Sequence, residues 1–230
     1  MQRVPLPGER KTFSCDFAWR RAAVHWREIG GGHERMSACT PRVKAGNVGR
    51  IANSNRAHEG HAMTAVVVYE SHWGNTAAIA RAIAEGLGPE ARAMNTDEAV
   101  GSAVASPDLV VAGAPVIAFG LPREGMRKQI AGDVKAPTPP DVSHPLLRTW
   151  LDGLPHGRGW GAAFETRIWW SPRGATGTIE SKLARAGYRR LAKSERFVVA
   201  GAYGPLHDGE LERARQWGAA LAQSFGARRA

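Results

Sequence analysis

From residue 63 onward, short apolar runs alternate with stretches whose apolar positions recur at helical spacing. The run Ala-Val-Val-Val-Tyr at residues 65–69 is continuous and rich in β-branched side chains, which predicts a strand buried on both faces. Residues 75–87 repeat apolar side chains in register with helical turns and end at a Gly-Pro pair, which predicts a helix. Strands that alternate with helices predict a parallel sheet with helices on both faces.

The same alternation continues toward the end of the chain. Further strands are predicted at residues 91–94, 108–113, 160–166 and 196–201, with a short extra piece at 188–191. Further helices are predicted at residues 97–104, 125–131, 143–151, 177–186 and 209–225, the last of them capped by Asp208. Together these elements predict one α/β domain over residues 63–230.

Residues 1–62 show neither pattern. They contain 11 Lys and Arg against 5 Asp and Glu, so they carry +6 of the total net charge of +10. We interpret them as a disordered basic leader before the domain. Such a leader can attract nucleic acid through its charge, but the sequence predicts no specific nucleic-acid partner.

The codons near residue 60 lead to a hypothesis about the start of translation. Glu59-Gly60 is encoded by GAR-GGN, a purine run shortly before the Met63 codon that resembles a bacterial ribosome-binding site. We hypothesise that Met63 is the native start and that residues 1–62 are not translated. An intact mass that includes residues 1–62 would contradict this hypothesis.

No metal site, thiol chemistry or membrane span is predicted. Cys15, His25, His33 and Cys39 are residue types that bind zinc, but their spacing matches no common ligand pattern. Both cysteines lie in the leader, so the domain has no disulfide. No apolar run approaches the roughly 20 residues that span a bilayer, and no secretory signal is recognisable, so we expect a cytoplasmic protein.

The loop after the first predicted strand, Glu-Ser-His-Trp-Gly-Asn-Thr at residues 70–76, is the most informative segment. Ser71 and Thr76 offer hydroxyl groups, and Gly74 lets the backbone approach a ligand closely. The helix that follows presents free N–H groups, which together with its dipole favour a phosphate. A plain strand-to-helix turn without any ligand explains these residues equally well. The loop has no P-loop lysine, so it suits a flavin monophosphate better than a reacting triphosphate.

Residues 66–87 resemble the FMN-phosphate loop of the flavodoxin family, in the Tyr-Glu-Ser-x-x-Gly-Asn-Thr form found in bacterial flavodoxin-domain proteins. Residues 108–123 look like the second flavin-contacting loop of that family. The resemblance covers nearly all of residues 63–226. It implies a flavodoxin-like three-layer α/β fold with a five-stranded parallel sheet in the order 2-1-3-4-5 and FMN at its carboxyl edge.

The resemblance also implies which residues contact FMN. The phosphate is expected to contact Ser71, His72, Trp73, Gly74, Asn75 and Thr76. One side of the isoalloxazine is expected to contact Ala114, Pro115, Val116, Ile117, Ala118, Phe119 and Gly120. The other side is expected to contact Thr166, Arg167, Ile168, Trp169 and Trp170.

Several of these side chains have a second interpretation. Trp169 and Trp170 fit stacking on a flavin, and packing against a helix or a partner protein explains them nearly as well. Phe119 either contacts the flavin edge or anchors its own loop. We expect the His72 side chain to point to solvent. The domain is mildly basic whereas carrier flavodoxins are typically acidic, so the resemblance does not specify the redox partner.

These expectations favour an FMN-binding, flavodoxin-like redox protein for cytoplasmic electron transfer, with a partner protein or a small electron acceptor and no membrane. An electron carrier is favoured over an enzyme, because no nucleophilic catalytic set is discernible and the cofactor would carry the chemistry. Two alternatives share the fold. One is an FMN-dependent NAD(P)H/quinone oxidoreductase, which turnover of both substrates would identify. The other is a flavin-free regulatory module, which takes up no FMN.

Overall fold

The structure is a computed structural model that describes residues 63–229. The expectations for the leader, its cysteines and the start of translation concern residues outside this range. The elements follow one another as β1 (Ala65–Tyr69), α1 (Asn75–Leu87), β2 (Arg92–Asn95), a 3-10 helix (Gly101–Val104), β3 (Leu109–Pro115), α2 (Glu124–Ala131), α3 (Leu147–Asp152), β4 (Trp160–Ile168), α4 (Thr176–Arg185), β5 (Arg189–Arg190), β6 (Glu195–Val199) and α5 (Glu210–Ala227).

The sheet is parallel and has the strand order β2-β1-β3-β4-β5. Both β5 and β6 pair with β4. Trp160 at the start of β4 lies opposite Arg189, and Phe164 further along lies opposite Glu195. The fifth position of the sheet is therefore shared by two short strands in succession. This confirms the order that the resemblance implied and adds a sixth strand to it.

Side chains of β1 alternate between two hydrophobic cores. Val66 and Val68 pack on the face that α3 and α4 cover. Ala65 and Val67 pack on the face that α1 and α5 cover. A strand that is buried on both faces needs apolar residues at consecutive positions, which is why the run at residues 65–69 is continuous.

Two glycines let α1 and α5 touch along their backbones. A Cβ atom at Gly86 would lie 2.0 Å from the carbonyl oxygen of Arg215, and one at Gly218 would lie 2.3 Å from that of Ile83. No side chain fits at either position without moving a helix. The close contact fixes α1, whose first turn borders the candidate site.

The structure corrects three details of the sequence-based elements. Only the second half of the helix predicted at residues 97–104 forms, as the short 3-10 helix, and α3 begins at Leu147 rather than at residue 143. The predicted Asp208 cap of α5 is wrong. Gly209 occupies the cap position with a φ of 82°, and no side chain bonds the first turn. None of the helices within residues 63–229 is long and apolar enough to cross a membrane.

Candidate functional site

A cleft of about 340 Å³ opens beyond the carboxyl ends of β1, β3 and β4. In an open parallel sheet this is the edge where ligands bind, because the connections from adjacent strands diverge there. The walls come from the loops after these three strands, from the end of α2 and from the segment after β6. The lining residues are Ser71, His72, Trp73, Asn75, Thr76, Pro115, Val116, Ile117, Ala118, Phe119, Ile130, Asp133, Thr166, Arg167, Ile168, Trp170, Val199, Gly201, Ala202 and Tyr203.

The loop after β1 presents polar hydrogens that have no partner in the described chain. No carbonyl or side chain among residues 63–229 accepts from the backbone N–H groups of residues 71–77. The hydroxyl oxygen of Ser71 is buried and also lacks a partner within this range. Gly74 adopts a φ of 84°, which turns the chain into α1. A helix start with free N–H groups and a buried hydroxyl has the chemistry of an anion site.

Hydrogen bonds from distant parts of the chain hold this loop in place. The Thr76 and Thr166 hydroxyl oxygens lie 2.7 Å apart, which ties the start of α1 to β4. Asn75 donates from Nδ2 to the carbonyl of Tyr203 at 3.0 Å, and the ring of Tyr203 meets that of Trp73 edge-on at 5.1 Å. The loop is therefore preorganised by side chains that also form the cleft wall.

His72 is buried, so the expectation that it points to solvent is wrong. Its Nδ1 lies 2.9 Å from the carbonyl oxygen of Asp141, and its Nε2 lies 3.3 Å from Oε1 of the buried Glu70. The other carboxylate oxygen of Glu70 accepts from the backbone N–H of Leu147 at 2.8 Å and so caps α3. Burial disfavours the charged imidazolium, but the Glu70 carboxylate and the Asp141 carbonyl outweigh it and raise the pKa of His72.

The loop after β3 makes a tight turn with unusual backbone geometry. Ile117 and Gly120 exchange two backbone hydrogen bonds of 3.0 Å across Ala118 and Phe119. The two central residues have φ values of 43° and 66°, a region that glycine normally occupies. Phe119 is 47% exposed at the end of this turn. Strained turns of this kind cluster at ligand-binding sites.

The loop after β4 combines a buried ion pair with exposed aromatic rings. Arg167 contacts Oε1 of Glu165 at 3.1 Å, and the other oxygen of Glu165 accepts from the backbone N–H groups of Ala175 and Thr176 at the start of α4. The Trp170 ring meets that of Phe119 edge-on at 6.3 Å. Aromatic side chains of two loops thus meet at the mouth of the cleft.

Solved structures from several sources have the same architecture. A flavodoxin from the domain Archaea is 21% identical, and the match covers 71% of this chain and 99% of that one with a TM-score of 0.50. Rubredoxin oxygen:oxidoreductase from the anaerobe Desulfovibrio gigas is 19% identical, and the match covers 72% of this chain and 37% of that one with a TM-score of 0.50. A flavodiiron core from Synechocystis sp. is 20% identical, and the match covers 74% of this chain and 37% of that one, also with a TM-score of 0.50.

The strand order together with these matches decides the architecture. The chain has the flavodoxin-like fold. This flavodoxin-like chain spans nearly the whole length of the archaeal flavodoxin but little more than a third of each of the other two chains. No protein-family model matches the sequence, and no curated protein sequence does either.

The flavodoxin-like cleft gathers most of the site residues that the sequence predicts, but four of them do not line it. Ala114 is fully buried inside β3, Trp169 is 75% exposed outside the cleft, and Gly120 closes its turn away from the lining. Gly74 instead borders a second cavity of about 140 Å³ behind the loop. Trp169 and Trp170 therefore differ, although they are adjacent in sequence.

The flavodoxin-like cleft also contains residues that the sequence did not indicate. They are Ile130, Asp133, Val199, Gly201, Ala202 and Tyr203. The Tyr203 hydroxyl donates to Oδ2 of Asp133 at 2.8 Å, which lowers the pKa of Asp133 and raises that of Tyr203. These residues follow α2 and β6 in loops without a motif. Their proximity arises only when the sheet brings β6 beside β4. None of the groups of His, Cys, Asp or Glu within residues 63–229 could supply three metal ligands.

Proposed function

We propose that the cleft binds FMN non-covalently and that the chain transfers electrons through it. The observation that carries the proposal is the loop after β1, where the N–H groups of residues 71–77 and the buried Ser71 hydroxyl have no partner among the described residues. A buried hydroxyl without a partner is costly, so a site that retains one beside free N–H groups is suited to an anion that accepts from them. A phosphate monoester has that chemistry.

The residues present also suit the rest of FMN. Val116, Ile117 and Trp170 offer an apolar wall next to the polar loop, as a planar ring with a phosphate tail requires. Arg167 adds guanidinium N–H groups to the lining, although the Glu165 carboxylate at 3.1 Å offsets its charge. When bound, FMN supplies electron-transfer chemistry that no side chain here offers, while the chain binds it, orients it and limits water access.

An electron carrier fits the exposed mouth of the cleft. Phe119 and Trp170 are about half exposed at its rim, so an acceptor can approach without opening a lid. The identity of that acceptor, a partner protein or a small molecule, and the cytoplasmic location both stay predictions from the sequence.

The test is a titration of the full-length, ligand-free chain with FMN, followed by flavin fluorescence. Saturable quenching with micromolar or tighter affinity supports the proposal. Ser71→Ala should weaken FMN binding about fivefold, since one hydrogen bond is worth roughly 1 kcal/mol. Ser181→Ala is the matched control, because its exposed hydroxyl bonds only within α4.

Two other results would favour an alternative function. Absence of FMN uptake at micromolar concentration would contradict it and favour a flavin-free regulatory module. Uptake of FMN accompanied by turnover of NAD(P)H with a quinone would favour the oxidoreductase alternative over the carrier.

A further inference from the structure

The imidazole of His72 lies between two hydrogen-bond acceptors. Its Nδ1 faces the carbonyl oxygen of Asp141 at 2.9 Å, and its Nε2 faces Oε1 of Glu70 at 3.3 Å. Because a carbonyl only accepts, Nδ1 must carry a hydrogen. A neutral imidazole has a single N–H, so Nε2 of neutral His72 would direct a lone pair at a carboxylate.

Burial makes this conflict costly. The side chains of His72 and Glu70 are 3% and 5% exposed, and beyond their 3.3 Å contact with each other neither Nε2 nor Oε1 has a polar partner within residues 63–229. A proton held between the two atoms removes the conflict and leaves the pair neutral overall. Loss of that proton leaves a net charge of −1 in a buried place, which is strongly disfavoured.

The pair is part of the loop that presents the free N–H groups. His72 lines the main cleft, and Ser71, which separates the two residues in sequence, lines both the main cleft and the cavity behind it. Any anion on the loop therefore lies near the pair. The net charge of the pair then raises or lowers the affinity of the loop for that anion.

Other charged and titratable groups lie near the pair. The Asp141 carboxylate accepts from Ser143 and lies 3.2 Å from Nε2 of His144, whose Nδ1 lies 2.6 Å from Asp97. Arg127 from α2 disfavours the charged form of His72. His144 titrates as well, because the contact with Asp97 raises its pKa, but it lines only the cavity behind the loop.

We propose that Glu70 and His72 hold one proton beneath the loop, and that this proton makes the cleft selective for a phosphate-bearing flavin. The inference rests on the proposed function and adds a specificity determinant to it. By linkage, an anion that stabilises the protonated pair must itself bind more weakly once the pair loses its proton. Riboflavin has the same ring system without the phosphate and does not sense this charge.

The test compares FMN and riboflavin affinities of the full-length chain from about pH 6 to about pH 9, the range in which a perturbed histidine titrates. We expect the FMN-over-riboflavin preference to fall about tenfold as the pH rises, a coupling of ordinary size for linked sites. The phosphate of FMN gains its second charge near pH 6, which strengthens binding with rising pH and so has the opposite sign. A preference that stays constant or grows with pH would overturn the proposal.

Two variants separate charge from structure. His72→Gln removes the ring that titrates and leaves the Glu70 carboxylate without it, so its preference for FMN should be low and flat with pH. Glu70→Gln removes the negative charge, so its preference should stay high at the alkaline end, where that of the unmodified chain has fallen. His144→Gln is the matched control and should behave like the unmodified chain. Equal behaviour of the three variants would contradict the proposal.

A second readout does not depend on flavin. Nitrogen NMR of the histidine rings should show His72 as an imidazolium in the ligand-free chain near neutral pH, with a further rise in its pKa when inorganic phosphate is added. A neutral His72 throughout would refute the inference and leave FMN binding possible. Absence of FMN uptake would refute the proposed function, and the phosphate titration would still test the proton.

Discussion

The loop after β1 and the loops after β3 and β4 build two walls of one cleft by different means. In the first, Glu70, His72 and Thr76 are buried and bonded to residues far away in the chain. In the others, Phe119, Trp169 and Trp170 are exposed, and their positions follow from a strained turn and a strand end. The first wall is thus part of the folded core, whereas the aromatic rings of the second wall lie at the surface. Changes in the first wall should affect stability and binding together, and changes to the exposed rings of the second wall should affect binding alone.

The largest expected effect is on stability in the first wall. Glu70→Ala would leave the Leu147 N–H and the His72 ring without their carboxylate partner. Breaking a buried pair of this kind costs about 3 kcal/mol. Urea unfolding of the full-length chain measures the loss. Glu90→Ala, at an exposed position, should change the free energy of unfolding by less than about 0.5 kcal/mol.

The second wall should show the reverse behaviour. Trp170→Ala removes an aromatic side chain that lines the cleft, so FMN binding should weaken about tenfold, in line with the roughly 1.5 kcal/mol upper range for an aromatic pair. Its free energy of unfolding should barely change. Trp169→Ala is the matched control, because Trp169 lies outside the lining. Equal effects of the two substitutions on FMN affinity would contradict the assignment of Trp170 to the wall.

The two walls also differ in which residues occupy left-handed backbone. The first uses Gly74, and the second uses Ala118 and Phe119. Gly74→Ala should destabilise the chain by about 1 kcal/mol, since a Cβ disfavours this conformation. Ala118→Gly should change the free energy of unfolding by less. Glycine relieves the backbone strain of the folded turn, but it also gives the unfolded chain more conformational entropy, and the two effects oppose each other. Thermal unfolding of the two variants provides the comparison, and a larger loss in Ala118→Gly would contradict it.

The smallest expected effect is a pH slope of stability. The pKa of His72 is raised above its usual 6.5 in the folded chain. Its contribution to stability is therefore fully present below the unfolded pKa and is lost as the pH rises through the folded pKa. Unfolding experiments on either side of neutrality should show this loss in the unmodified chain and a flatter profile in His72→Gln. His144, whose pKa is also raised, contributes a slope of the same sign in both proteins.

The sequence predicted the first wall better than the second for a physical reason. The strand at residues 65–69 and the helix at residues 75–87 are local patterns, so the loop between them could be located to the residue. The confirmed sheet order came from the resemblance. The partners of the loop, Asp141 and Tyr203, are distant in sequence and carry no motif, so neither could be anticipated, and the burial of His72 was missed with them.

In the second wall the sequence could not give the orientation of individual side chains. A sequence places Trp169 and Trp170 in one loop but cannot say which of two adjacent side chains turns inward when the strand ends. The same holds for Ala114, whose position at a loop boundary suggested contact although the strand continues past it and buries it. Tyr203 and Asp133 lie 70 residues apart and meet only in the folded sheet.

The two-residue strand β5 has a consequence for how copies of this protein behave at high concentration. Open sheet edges offer unpaired backbone groups on which another chain can add a strand, and short, charged edge strands prevent this. Along the described chain, β5 pairs only with β4, and its residues Arg189 and Arg190 are both exposed. Two like-charged side chains on so short a strand repel the same strand of a second copy. The part of the edge that β5 forms is thereby protected against edge-to-edge aggregation.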